Sequence, residues 1–428
     1  MSNHSFIKEV IKEKPLDKRK LMIKIVMLIL AAVLFGVIAA ITFAYTRPEV
    51  ERSIEARKDP DNVDITDDDG EPSLPSEEPT PTPTPKVTPE AEVPEVTPAP
   101  EMPAPAELGL PEYKKLYKDM KEASQEAEKS MVTVIGIKSE IDYFKDSYDN
   151  RGQRSGVIIA NNGRELLVLT EYSVVDGVDK IEVTFSNGKT VTAQYQKHDE
   201  NSGLTIVKIL LEEINAETLD SIITAPLGNS NKLTQGEPVI ALGSPTGSSD
   251  SIAFGSATSV MNKVAVWDTE YSLITTDILG AKSGSGVLLD LDGEIIGIMA
   301  QNYSNENNTV TALAISPIRT LIQTLSNNGA MRYMGIKGKE VTEDISRDTG
   351  IPQGVWIETS NPDSPAMRAG LMSGDVIIKL NDKDIGTIAE YHQELNICPV
   401  GEVIKLTIMR KGADGYEEII FDVTVEAL

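Results

Sequence analysis

From Met131 onward the apolar residues either alternate with polar ones or gather in short runs: MVTVIGI, GVIIA, ELLVLT, IEVTF, TVTAQY, LTIVKI, PVIALG, IAFGSATSV, YSLITT, GVLLDL, EIIGIMA and TVTALAI. Such segments, set apart by turn-forming residues, predict short β-strands, and about a dozen of them argue an all-β double barrel. Asp292-Gly293, between the apolar stretches 287–289 and 295–298, marks a hairpin. Residues 112–130 have a different period. Tyr113, Leu116, Tyr117 and Met120 fall on one stripe with Lys and Glu elsewhere, which predicts a helix. Residues 25–45 form an uncharged apolar run long enough to cross a bilayer core of about 30 Å as a helix. Lys18, Arg19, Lys20 and Lys24 crowd its N-terminal side, so residues 1–24 are expected in the cytoplasm and everything after Arg47 outside it. The run is longer than a signal-peptide core and no small-x-small cleavage site follows before Arg47, which favours an uncleaved anchor. Ala32, Gly36, Ala40 and Ala44 put small residues on one face of it.

Composition adds a tether. Residues 46–110 lack hydrophobic periodicity and carry prolines that forbid helix or sheet continuity, so they are expected to be a disordered, acidic Pro/Thr-rich linker. Extended as polyproline II it would reach on the order of 100 Å or more. The formal net charge is −26, and residues 59–110 supply half of it: fourteen acidic side chains there face one lysine, Lys86. No basic stripe with interleaved aromatics suggests a nucleic-acid partner. Cys398 is the only cysteine, which leaves no intramolecular disulfide and no Cys-based metal site. It reads as a small buried hydrophobe. No metal or cofactor is expected.

The candidate chemistry lies in TTDILGAKSGSGVLLDLDGEIIGI, residues 275–298. A small-residue loop before a hairpin is the kind of turn on which acyl-transfer enzymes place a nucleophile beside backbone N–H donors. The hydroxyls available are Ser283 and Ser285. A serine attacks only if a base takes its proton and a third group orients that base.

Several segments resemble, in order, one family: SGVIIANNGRELLVLT from Ser155, VVDGVDKIEVTFSNGKTVTAQY from Val174, APLGNSNKLTQGEPVIALGSPTG from Ala225 and YSLITTD from Tyr271. These are similar to the HtrA-type, trypsin-like serine proteases that carry a C-terminal PDZ domain. The resemblance covers everything after the linker. It implies a trypsin-like double β-barrel over residues 111–328 followed by a PDZ domain over 331–428. The triad the family would bring is degenerate. Where the family has its histidine, after Leu169-Thr170, this chain has Ser173. Where it has the orienting aspartate, Gly203 stands. Counted back from Asp292-Gly293, the family's serine falls on Gly284, one residue from Ser283 and from Ser285, and the approach from Thr276-Asp277 is about two residues short. His198 reads as a surface residue, and Lys282, protonated in water, is a poor base for its neighbour Ser283.

In the tail, RYMGIKGKEV from Arg332 and GVWIETSNPDSPAMRAGLMSGDVIIKLNDKDI from Gly354 are similar to the family's PDZ domain. The resemblance places Tyr333, Met334, Gly335 and Ile336 at the loop whose N–H groups would hold a peptide's C-terminal carboxylate. Read together, these features predict a membrane-anchored, extracytoplasmic protein on a protease scaffold with a degenerate triad. Its expected partners are unfolded or C-terminal peptide segments, with a homo-oligomer or an HtrA-type paralogue as further partners. The alternative is an active serine endopeptidase of protein quality control that uses Ser283 or Ser285.

Overall fold

The computed structural model describes Met22, Met27 and residues 61–65, 109–138, 152–304 and 308–428. The membrane span read over residues 25–45 therefore lies outside the described residues, Met27 apart. Among those described, no helix is long and apolar enough to cross a membrane. The chain divides into residues 1–59 and residues 60–428, and both the barrels and the tail domain belong to the second unit.

Helix α1 (Leu110–Glu128) precedes the barrels, with Glu112 capping the Gly109 N–H. Its apolar stripe is only half used. Met120 and Ala127 are buried, whereas Tyr113 and Leu116 are exposed, and Tyr117 lies edge-on to Phe254.

Two closed six-stranded barrels come next. The first holds β1 (Met131–Ile137), β2 (Gln153–Asn161), β3 (Glu165–Glu171), β4 (Lys180–Phe185), β5 (Thr190–His198) and β6 (Leu204–Leu210), in the order β1-β2-β3-β6-β5-β4. Helix α2 (Ala216–Ser221) leads to the second. That barrel holds β7 (Pro238–Ser244), β8 (Ser251–Val266), β9 (Thr269–Leu279), β10 (Ser285–Leu289), β11 (Ile295–Met299) and β12 (Thr309–Ala314), in the order β10-β11-β12-β9-β8-β7. Strands bordering both barrels explain the unbroken apolar runs. Ile158 of β2 and Val168 of β3 fill the first barrel, while Val157, Ile159, Leu167 and Leu169 face the second across a shared core. On β10, Leu288 points into its own barrel and Val287 and Leu289 into that shared core. A strand covered on both faces has no solvent side and needs no alternation. Helix α3 (Ile315–Ser326) closes the shared core with Ile318, Ile322 and Leu325.

One stretch of the expected linker is ordered after all. Residues 61–65 lie along α3 and bury Val63 and Ile65 in the shared core. The Val63 N–H donates to Asn327 Oδ1 at 2.9 Å, Asn327 Nδ2 donates to the Val63 carbonyl at 2.8 Å, and Arg319 donates to the Ile65 carbonyl at 3.1 Å. Side-chain amides thus replace the neighbouring strand that an isolated extended segment lacks.

The tail domain builds a sheet in which Ile336–Val341, Gly354–Ser360, Val376–Leu380, Val403–Lys411 and Tyr416–Thr424 lie side by side in that order. Its elements are β13 (Arg332–Tyr333), β14 (Ile336–Val341), α4 (Glu343–Thr349), β15 (Gly354–Ser360), α5 (Pro365–Ala369), β16 (Val376–Leu380), β17 (Lys383–Asp384), α6 (Ile388–Ile397), β18 (Val403–Lys411), β19 (Tyr416–Thr424) and β20 (Glu426–Ala427). Ser364 caps α5 and Gly370 ends it in the left-handed region. The buried Asp375 takes two hydrogen bonds from Arg410, at 2.6 and 2.7 Å. Cys398 is buried.

Candidate functional site

The seam between the barrels opens into a cleft of about 1000 Å³ whose lining includes Arg154, Glu171, Ser173, Gly203, Lys282 and Asn302. Ser173 follows β3 in a short 3-10 turn and its hydroxyl donates to Glu171 Oε2 at 3.2 Å. Arg154 Nε meets the same oxygen at 2.9 Å. Burial pushes the Glu171 carboxyl above its ordinary range, and Arg154 pulls it partly back. Ser173, where the resemblance expects the general base, thus belongs to a cluster with Glu171 and Arg154. Gly203 sits in the turn before β6 at φ +72°, and its carbonyl accepts the Tyr172 N–H at 2.7 Å. An aspartate there would have to adopt a left-handed backbone.

Ser283, Gly284 and Ser285 are not equivalent. Gly284 is buried, and its N–H donates to the Ala281 carbonyl at 2.8 Å. A Cβ at Gly284 would lie 2.5 Å from the Pro245 carbonyl oxygen and 2.9 Å from that of Ala281. The position that carries the nucleophile by counting therefore has no room for any side chain, and its N–H is already spent. Ser285 opens β10, is 1% exposed, and accepts the Ser155 N–H at 2.9 Å, which ties one barrel to the other. The half-buried Ser283 Oγ packs 2.9 Å from the point where a Cβ would stand on Gly247. Neither serine lines the main cleft, whereas Lys282 does. The histidines among the described residues are His198 and His392, and neither lines it either. His198 stacks on Tyr172, centroids 3.7 Å apart, with Nδ1 2.6 Å from the Tyr195 hydroxyl. It is a half-buried packing residue rather than a freely exposed one.

The second site is the loop ahead of β14. Gly335 has φ +78°, which turns three successive N–H groups toward one point. Met334 and Gly335 donate to Oδ2 of Asp268 at 2.8 and 2.7 Å, and Ile336 donates to Oδ1 at 3.1 Å. Tyr333 stands beside the nest, its hydroxyl 2.5 Å from Asn361 Nδ2. Asp268 itself was invisible to sequence reasoning. The available signal was a Trp267-Asp268 turn at the end of the NKVAV stretch, where aspartate tolerates the left-handed backbone it adopts, φ +62°.

A profile of the trypsin-like peptidase domain matches residues 154–298, and a PDZ profile matches residues 356–410. Over 275 residues the chain is 30% identical to the putative serine protease HhoA of a Synechocystis species, which covers 60% of this chain and 68% of that protein. The chain belongs to the HtrA-type serine protease family with a C-terminal PDZ domain. Among other relatives of this HtrA-type chain is a probable periplasmic serine endoprotease, DegP-like, of Halomonas elongata, 27% identical over 62% of this chain and 55% of its own length. The serine protease Do-like HtrB of Bacillus subtilis is 29% identical over 60% and 59%. The chain spans little more than half the length of the first curated relatives it matches. Among solved structures, the HtrA-type protease AlgW with decapeptide shares the fold, with a TM-score of 0.52 at 22% identity, covering 72% of this chain and 98% of that one.

Proposed function

We propose that this chain is a membrane-anchored, extracytoplasmic pseudoprotease of the HtrA type that binds exposed or C-terminal peptide segments through its PDZ domain. The observation that carries the reading is the occluded Gly284, in the loop beside a cleft lined by Ser173 and Gly203, which stand where the resemblance expects base and orienter. Loss of triad members costs roughly 10⁴ to 10⁶ in rate, and the residual rate needs an oxyanion hole, to which the N–H of Gly284, already bonded to the Ala281 carbonyl, is not available. The bound peptide of the AlgW structure and the converging N–H groups of Met334, Gly335 and Ile336 support peptide recognition at the tail.

The decisive experiment treats the full-length chain with a fluorophosphonate label and with casein, in wild type, Ser283→Ala and Ser285→Ala. No stoichiometric labelling is expected, and no turnover that differs among the three. Turnover in wild type that vanishes in one serine variant would establish the alternative, an active endopeptidase, and name its nucleophile. The anchor rests on the basic flank before residue 25 and on relatives described as periplasmic. Protease added to intact cells should digest the folded domains, and survival until lysis would reverse the orientation.

A further inference from the structure

Asp268 forms the tip of the hairpin between β8 and β9, on the second barrel, and is 5% exposed because it is buried in the tail domain. Besides the three N–H groups of Met334, Gly335 and Ile336, its carboxylate accepts the Tyr391 hydroxyl at 2.9 Å. Its own N–H donates to the Ile336 carbonyl at 2.7 Å, as the first rung of a strand added to β14. Its carbonyl faces His392 Nδ1 of α6 at 3.2 Å. This is the hydrogen-bond set that the last residue of a peptide would need in the groove between β14 and α6: a carboxylate in the nest and an N–H paired with the strand. A side-chain carboxylate on a tight turn supplies it without a chain end. Among the described residues no lysine or arginine shares the contact, and the carboxylate is held by backbone N–H and hydroxyl dipoles.

We propose that Asp268 is a tethered internal ligand of the PDZ groove, so that a polypeptide C-terminus enters only by displacing the β8–β9 hairpin. The inference rests on the reading of the groove as a peptide site. Tethering keeps the competitor at high effective concentration, and the apparent affinity for a free peptide falls by the fraction of molecules whose groove is open. Displacement would also free the end of β9, whose other end, Leu279, leads into the loop of Ser283 and Gly284 at the cleft.

The test uses the full-length chain with a fluorescent decapeptide pool, random except for a C-terminal Val, Leu, Ile or Phe, as free acid and as amide. Asp268→Gly keeps the left-handed turn and removes the carboxylate, and Asp268→Asn keeps the size and removes the charge. Both variants should bind the acid pool at least tenfold more tightly than wild type and discriminate against the amide. Independently of any peptide, the amides of Met334, Gly335 and Ile336 should be protected from hydrogen exchange in wild type and lose protection in Asp268→Gly. Equal protection in the two proteins, or equal affinity for the acid pool, overturns the internal ligand. Loss of protection with no binding by any of the proteins would support the Asp268 contact and overturn the peptide reading instead.

Discussion

His392 turns the closed groove into a pH-dependent contact. The Asp268 carbonyl can only accept, so Nδ1 carries the proton, and Nε2 is then free to accept from Asn396 Nδ2, 2.7 Å away. The neutral ring satisfies both partners, and burial holds the imidazole pKa below its ordinary value of about 6.5. A histidine with a depressed folded pKa contributes full stability above its unfolded pKa. That stability is lost as pH falls below about 6.5, because the unfolded chain takes the proton first. Asp268 works against it: burial raises its carboxyl, so its own contribution strengthens on acidification, while Asp199 nearby favours the imidazolium. The melting temperature of the full chain should fall between pH 7.5 and 5.5, and His392→Gln should flatten that slope. An unchanged slope in the variant would assign the acid sensitivity elsewhere. Residue identity alone puts Ser173 and Gly203 where the resemblance expects a histidine and an aspartate, and a side chain that lacks the imidazole or carboxylate lacks it in any conformation. The role of Asp268 was not legible, since its donors lie in another domain, on Met334, Gly335, Ile336 and Tyr391, and no local pattern links a hairpin tip to them.

Among the elements, legibility followed the number of residues that share a pattern. The strands of both barrels were readable because each carries several inward residues, and those buried on both faces, such as β2 and β3, read as continuous apolar runs. The Asp292-Gly293 hairpin was readable from backbone chemistry, with Gly293 at positive φ. The front half of the α1 stripe misled, because Tyr113 and Leu116 have the right spacing but stay largely exposed, Tyr113 touching Tyr117 of the same helix. Residues 61–65 escaped notice for the opposite reason: Val63 and Ile65 are one apolar pair inside an acidic, proline-bearing stretch, too few for a period. Their partners are the amides of Asn327 and Gln323, distant in sequence. The loop before β10 stands out in sequence by its run of small residues, but only the approach of Pro245 and Ala281 reveals that Gly284 cannot be replaced by serine in place.

At the scale of the whole chain, segments that sequence keeps apart are held on one folded body: the hairpin tip in the PDZ groove, and residues 61–65 against α3 beside helix α1. The second of these bears on shedding. Because residues 61–65 and α1 both pack into the shared core, a cut anywhere in residues 66–108 would sever the covalent tether without at once freeing the body from it. Docking of Val63 and Ile65 would change from an intramolecular event, favoured by high effective concentration, into an ordinary bimolecular equilibrium. Separation of the body from the piece that carries residues 61–65 would then depend on dilution and on the burial and hydrogen bonds of Val63 and Ile65 rather than on the cut itself. With a cleavage site introduced in the Pro/Thr-rich stretch, the two pieces of the purified chain should co-elute when concentrated and separate on dilution. Asn327→Ala should separate them at higher concentration, and if wild type separates at every concentration tested, residues 61–65 do not retain the body. On the anchor proposed above, such a protein would leave the surface by washing, to an extent the surrounding volume sets.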